Sequence, residues 1–243
     1  RNEKTYLFNP SNVNQEPKII YDRNYQDRYS DPGSFLTERN IYNKNVLKIE
    51  SNSMILIGDG YSEKGQFPFI DKLSLNDFSS NRIYKSSYTD KLEDILDFDT
   101  KKNQLLVRIE SKSDYPNYYF KSLNGRRINK ITDFKNPFDN LSQVDKEVIS
   151  YKRNDGVELS GVLYLPIGYN KASKEKMPMI LWAYPREFKD KNSASQNLNN
   201  PNEFINPYYG SMVYWVTKGY VVLDDASFPI IGEDMNEPND DFR

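Results

Sequence analysis

The sequence predicts a mixed fold, an antiparallel all-β part followed by the first strands of an open α/β sheet. Three observations carry this. A unit of strand, polar loop, aromatic strand, Asn/Asp turn and strand recurs at a spacing of about 50 residues. Asp155-Gly156 stands between two alternating apolar runs, a strong hairpin signal. Two short apolar runs, 179–182 and 220–223, flank a helical stretch, which is the grammar of a parallel crossover unit.

In order along the chain, Thr5-Tyr-Leu-Phe8 and Lys18-Ile-Ile-Tyr21 read as a hairpin around the polar turn 9–14. Residues 25–33 are too polar for a core strand and are expected to form an exposed loop. The recurring unit then appears twice. Met54–Ile57 leads to Phe67–Leu73 and Arg82–Tyr84, and Leu105–Ile109 leads to Tyr118–Leu123 and Ile128–Ile131, with a further short strand at Asp94–Thr100. The spacing falls in the range of β-propeller blades. Residues 133–144 hold a proline, aspartates and asparagines without periodicity, so a domain boundary is expected there, dividing 1–143 from 144–243. Beyond it, Glu147–Lys152 and Val157–Leu165 form the predicted hairpin, ended by Pro166. A polar, exposed loop is expected over 189–206. Next comes a short helix over 211–218, with Met212, Trp215 and Val216 on one face, Ser211 as its cap and Gly219 as its end.

The run Met179-Ile-Leu-Trp182 reads as a strand covered on both faces, and Pro185 is expected to release the chain from the sheet at Tyr184. Ligands of open α/β sheets bind beyond the carboxyl ends of the strands, so Tyr184, Arg186 and Glu187 would be carried to that crevice. The plainer alternative makes Tyr184 a half-buried strand-end aromatic with its hydroxyl in water.

Composition narrows the chemistry. The formal charge of −2, from 33 basic and 35 acidic residues over 243 positions, comes without a basic block, so neither nucleic acid nor a membrane surface is an expected partner. Mean hydropathy is −0.82, yet aromatics reach 14% with 19 tyrosines, which suits half-buried strands better than a disordered tail. There is no apolar run near the ~18 residues of a membrane helix and no start resembling a signal peptide. The chain contains neither cysteine nor histidine. Disulfides, thiol nucleophiles, His-containing zinc sites and a Ser-His-Asp triad within these residues are thereby excluded, and compartment cannot be read from redox chemistry. The native N-terminus is expected to be missing before Arg1, which leaves periplasm and cytoplasm both open. No cofactor is expected.

The stretches "DGVELSGVLYLP", "PMILWAYP" and "GYVVLDDASFPIIGED", following propeller-like repeats, resemble the prolyl oligopeptidase family of serine peptidases. "DRNYQDRYSDPG", "GDGYSEKGQFPFID", "WAYPREFKDK" and "PIIGEDMNEPND" narrow the resemblance to its glutamyl endopeptidase-like branch. The likeness covers nearly the whole chain and is most specific from Tyr151 to Asp241. It implies C-terminal propeller blades over 1–143, then the N-terminal part of an α/β-hydrolase domain over 144–243, acting on oligopeptides. It also implies a serine, aspartate and histidine in that chain order, yet no G-x-S-x-G occurs here and the histidine is absent. The sequence is therefore expected to be an inactive fragment, starting at Arg1 without its native N-terminus and stopping at Arg243 before the nucleophile. By the same resemblance Tyr184 matches a tyrosine that donates to the oxyanion of the tetrahedral intermediate. Arg186 and Glu187 would line the substrate groove, the arginine receiving an acidic side chain and the glutamate a peptide amine, or would be surface charges and ion-pair partners.

Three other features bear on function. Asp224, Asp225, Glu233, Asp234, Glu237, Asp240 and Asp241 invite comparison with a calcium site, but their spacing departs from the regular calcium loop and a solvated, metal-free loop is the expected state. Asn140-Leu-Ser142 is a lone sequon. Unpaired strand edges of a truncated sheet could drive homo-oligomer formation. The alternative to an enzyme is a non-catalytic propeller-type module that holds a peptide or sugar on its tyrosines. A reading frame that continues past Arg243 into Gly-x-Ser-x-Gly and a histidine favours the enzyme, and an early stop favours the module.

Overall fold

A computed structural model describes residues 2–173 and 175–232. The strands Asn2–Leu7 and Lys18–Asn24 pair antiparallel, the first expected hairpin. Two antiparallel meanders follow. In the first, Ser34–Phe35, Ser53–Gly58, Phe69–Ser74 and Ser80–Lys85 lie side by side in chain order, with Ile49–Glu50 also pairing with Ser53–Gly58. In the second, Leu92–Asp99, Gln104–Glu110, Asn117–Ser122 and Ile128–Lys130 repeat the arrangement. The repeat seen in the sequence is thus one four-strand path per unit. Inward residues alternate along these strands as the pleat requires. Ile55, Ile70 and Tyr84 of the first sheet and Phe98, Leu105, Val107 and Ile109 of the second fill one shared core, in the manner of neighbouring propeller blades. Gly60 turns the chain into the small Tyr61–Ser62 and Gly65–Gln66 hairpin, and only glycine fits there. Its φ is +68°, and a Cβ would lie 1.9 Å from the Phe67 carbonyl oxygen.

The third sheet is mixed. Its order is Asp145–Lys152, Glu158–Leu165, Val221–Ile231, Met179–Phe188, antiparallel except for the last pair, which is parallel. The hairpin at Asp155-Gly156 and the crossover from 179–188 to 221–231 are both present. Val162, Tyr164 and Val222 pack against Val213 and Val216 of the crossover segment, and Leu141 and Val144 join the same core. Because parallel neighbours need a long connection, the chain between the two strands is free to cover this face.

Several expectations are corrected. The crossover helix is a 3-10 helix, Met212–Lys218, and its three-residue turn buries Val213 and Val216 rather than the Met212, Trp215 and Val216 stripe. Trp215 remains exposed and meets Tyr220 edge to face, with ring centroids 5.5 Å apart. Ser211 stands at the N-cap without a side-chain capping bond, whereas Gly219 closes the C-terminus at φ +84° as expected. The strand 179–188 does not end at Tyr184. It runs through Pro185 to Phe188, because among the described residues it pairs on one side only and the missing proline N–H can face away from that ladder. For the same reason it is not covered on both faces: Ile180 meets the core, while Met179, Leu181 and Trp182 are exposed. The segment 189–206 is only partly an open loop. It forms a helical turn, Lys191–Ala194, capped by Asp190, whose carboxylate accepts from the Ser193 N–H at 2.8 Å, and it buries Phe204 and Ile205. Residues 25–33 likewise dock on other parts of the chain.

Candidate active site

Alternation along the edge strand decides which predicted residues meet. Tyr184, Arg186 and Phe188 project to one side, and all three line a cleft of about 60 Å³ with Asp225, Ser227 and Phe228 from the neighbouring strand. One water needs about 10–15 Å³ by the same kind of measure, so the cleft admits a small polar group with a few waters. Glu187, one residue out of phase, is not part of the lining. The structure therefore brings Tyr184 and Arg186 together and leaves Glu187 apart.

Beside the cleft the neighbouring strand carries a bulge. Leu181 pairs with Leu223 and Ala183 with Ala226, so Trp182 faces two residues, Asp224 and Asp225. Asp225 takes a left-handed conformation, φ 44°, which aspartate tolerates better than a branched residue. Its N–H donates to Asp224 Oδ1 at 3.0 Å. The bulge turns Asp225 toward Arg186, whose Nη2 lies 3.3 Å from Oδ1. Both side chains are more than half exposed, so this pair contributes at most about 1 kcal/mol and a competing carboxylate can displace it. Arg186 thus has an ion-pair partner while it lines the cleft. Burial raises the Asp224 carboxyl above its ordinary range, against the N–H bond from Asp225.

Tyr184 is 72% exposed, with its ring at the mouth of the cleft. It is neither the half-buried aromatic of the plainer reading nor the last residue of its strand. Behind it the floor is polar: the Ser160 and Ser227 hydroxyls are 3.3 Å apart, and the Ser160 N–H donates to Ser227 Oγ at 3.2 Å.

Sequence reasoning missed the other wall. Gln26 and Arg28, from the polar loop after the first hairpin, also line the cleft, as does Gln196 from the segment after the edge strand. Nothing in the local pattern of 25–33 announces this, since a polar loop and a docked polar loop have the same composition. Asp225 did leave a trace, because two adjacent aspartates inside Val221-Val-Leu-Asp-Asp-Ala-Ser-Phe228 break an otherwise apolar strand and mark a bulge. Of the carboxylates considered for calcium, Glu233, Asp234, Glu237, Asp240 and Asp241 lie outside the described residues. Among the described residues no three His, Cys, Asp or Glu side chains are grouped to hold a metal. Likewise, among the described residues no helix is long and apolar enough to cross a membrane. Asn140 of the sequon is exposed in the short helix Asp139–Leu141.

The described residues thus hold two blade-like antiparallel meanders and a mixed sheet with one parallel pair, whose cleft is walled by the loop after the first hairpin. The chain is 34% identical over 256 aligned residues to the probable chloroplastic glutamyl endopeptidase of Oryza sativa subsp. japonica, and 32% identical over 257 to that of Arabidopsis thaliana. Both alignments cover 100% of this chain and 27% of the relative, so the chain spans about a quarter of the length of these curated relatives. Glutamyl endopeptidases of the prolyl oligopeptidase family are thus what the chain resembles, in alignment as in motif. No family model matches it. Among solved structures, Porphyromonas gingivalis dipeptidyl peptidase 4 aligns with TM-score 0.48 and 15% identity over 93% of this chain and 35% of that one. Oligopeptidase B from Trypanosoma brucei aligns with TM-score 0.48 and 11% identity over 86% and 26%.

Proposed function

We propose that these residues are an internal part of a serine peptidase that hydrolyses oligopeptides, with blades of a β-propeller over 1–143 and the opening strands of an α/β-hydrolase domain over 144–243. The observation that carries the reading is the placement of Tyr184 and Arg186 on one side of a parallel edge strand, facing a cleft. In this reading Tyr184 donates its hydroxyl to the oxyanion that forms when serine attacks the scissile carbonyl. A preorganised donor of this kind contributes about 10²–10³ in rate. Arg186 receives the carboxylate of an acidic substrate side chain, for which its exposed pairing with Asp225 is a weak placeholder. Cleavage after glutamate follows from that contact and agrees with the name of the two plant relatives. Glu187, outside the cleft, takes no part.

Serine, its base and the orienting aspartate come from elsewhere in the protein, so the 243-residue chain alone is inert. Labelling with an active-site-directed fluorophosphonate tests this. The full-length protein should take one equivalent and hydrolyse glutamate-containing peptides, and the 243-residue chain should take none. A full-length protein that neither labels nor cleaves would leave the peptide- or sugar-binding module as the better description.

A further inference from the structure

The loop 25–33 and the segment 187–197 are far apart in sequence and hold each other through two glutamines used in reciprocal fashion. Gln26 Nε2 donates to the Glu187 carbonyl at 2.6 Å, while its Oε1 accepts from the Lys189 N–H at 3.1 Å. One side-chain amide thus presents to the end of this strand the donor and acceptor that a neighbouring strand would present. From the opposite side, Gln196 Nε2 donates to Asp27 Oδ1 at 2.7 Å and its Oε1 accepts from the Arg28 N–H at 2.8 Å. Asn24 Nδ2 adds donations to Asp190 Oδ2 at 2.9 Å and Ser193 Oγ at 3.1 Å. The Tyr29 hydroxyl accepts from the Asn197 N–H at 3.1 Å.

We propose that Gln26 is a positioning residue for the cleft. Bonded to the main chain at two points, it fixes the end of the strand that carries Tyr184 and Arg186, and Gln196 holds Gln26's own loop in place for that task. Two features of the geometry favour this over simple loop packing. Gln26 contacts the backbone on both sides of Phe188, the last residue of the strand, so it fixes main-chain position independently of side-chain identity. Both glutamines also line the cleft itself, so the clasp sits beside the ligand space rather than behind it. A small displacement of a positioned group is costly in catalysis, which gives such a clasp a functional consequence.

The assignment of a substrate role to the cleft rests on the peptidase reading; the clasp itself does not. The test uses the full-length protein and the variants Gln26→Ala and Gln196→Ala, each first checked for a cooperative thermal transition. Amide hydrogen exchange should show the Lys189 N–H released about tenfold or more in Gln26→Ala, with Val222 in the same sheet unchanged. Gln196→Ala should release the Arg28 N–H more than that of Lys189. In peptide hydrolysis, Gln26→Ala should raise KM for glutamate-containing peptides several-fold, with a smaller loss in kcat. Unchanged Lys189 exchange in Gln26→Ala would overturn the clasp. Equal release of all these amides in both variants would reduce it to general loosening, and a released Lys189 with wild-type KM and kcat would remove its positioning role. If the wild-type protein cleaves no peptide, the peptidase reading fails while the exchange result still decides the clasp.

Discussion

Lys121 Nζ lies 2.8 Å from Glu93 Oε1 between the two meanders, with both side chains nearly sealed from solvent. The Tyr84 hydroxyl closes the triangle, donating to Glu93 Oε2 at 2.7 Å and accepting from Lys121 Nζ at 2.7 Å. Tyr84 belongs to the first meander and the ion pair to the second, so the network fixes how the two sheets register. Burial, followed by the Glu93 carboxylate, raises the phenol so far that it stays protonated.

Removing one partner of this pair leaves the other charged and buried. Glu93→Leu or Lys121→Met alone should each cost about 3–5 kcal/mol, read as a lower urea midpoint at constant m-value. The double variant should cost less than either single one, because two apolar side chains then fill a dry space. Additive losses would show that the pair is not coupled.

Glu110 gives a pH signature. Burial pushes its carboxyl up to about 7, against a lowering contribution from Arg108, whose Nη2 is 3.7 Å away. A carboxyl raised in the folded state binds its proton more tightly there than in the unfolded chain. Its contribution to stability is therefore present at acid pH and declines as pH rises from the ordinary carboxylate range to about 7. Urea midpoints should fall across that window and level off above it, by an amount set by roughly 1.4 kcal/mol per unit. Glu110→Gln should remove the slope, and a variant with the wild-type slope would assign it to other groups.

Tyr184→Phe in the full-length protein deletes one exposed hydroxyl without removing a core contact. If that hydroxyl meets only the developing oxyanion, kcat and kcat/KM should fall together by about 10²-fold, with KM nearly unchanged. A wild-type rate on the best peptide would show that the ring only packs.

Arg186 and Asp225 separate selectivity from turnover. Arg186→Ala should cost more on glutamate-containing peptides than on neutral ones, since an unpaired carboxylate loses its charged donor. Asp225→Asn should act in the opposite sense, lowering KM for acidic peptides a few-fold, because it frees the guanidinium and removes a like charge. Equal effects on acidic and neutral peptides would place both residues outside substrate selection.

Gly60→Ala tests the fold at one turn. A methyl group cannot occupy the position of the Phe67 carbonyl oxygen, so the loop and its 61–66 hairpin must move, and a loss of about 1–3 kcal/mol in thermal or urea unfolding is expected.

The sequence alone determined the two repeated antiparallel units, the Asp155-Gly156 hairpin, the parallel pairing of the strands that hold 179–182 and 220–223, and the lack of a histidine among these residues. Each of these depends on local alternation, turn chemistry or composition, which act within a few residues. Only the tertiary structure decided that the 179–188 strand pairs on one side alone among the described residues, that Pro185 therefore does not end it, and that Arg186 meets Asp225 across a bulge. The docking of 25–33 on 187–197 belongs with these. Such outcomes depend on which strand lies beside which and on pairs such as Gln26 with Glu187, 161 residues apart. A polar side chain looks the same in sequence whether it faces water or completes another segment's hydrogen bonds, and only the folded chain distinguishes the two.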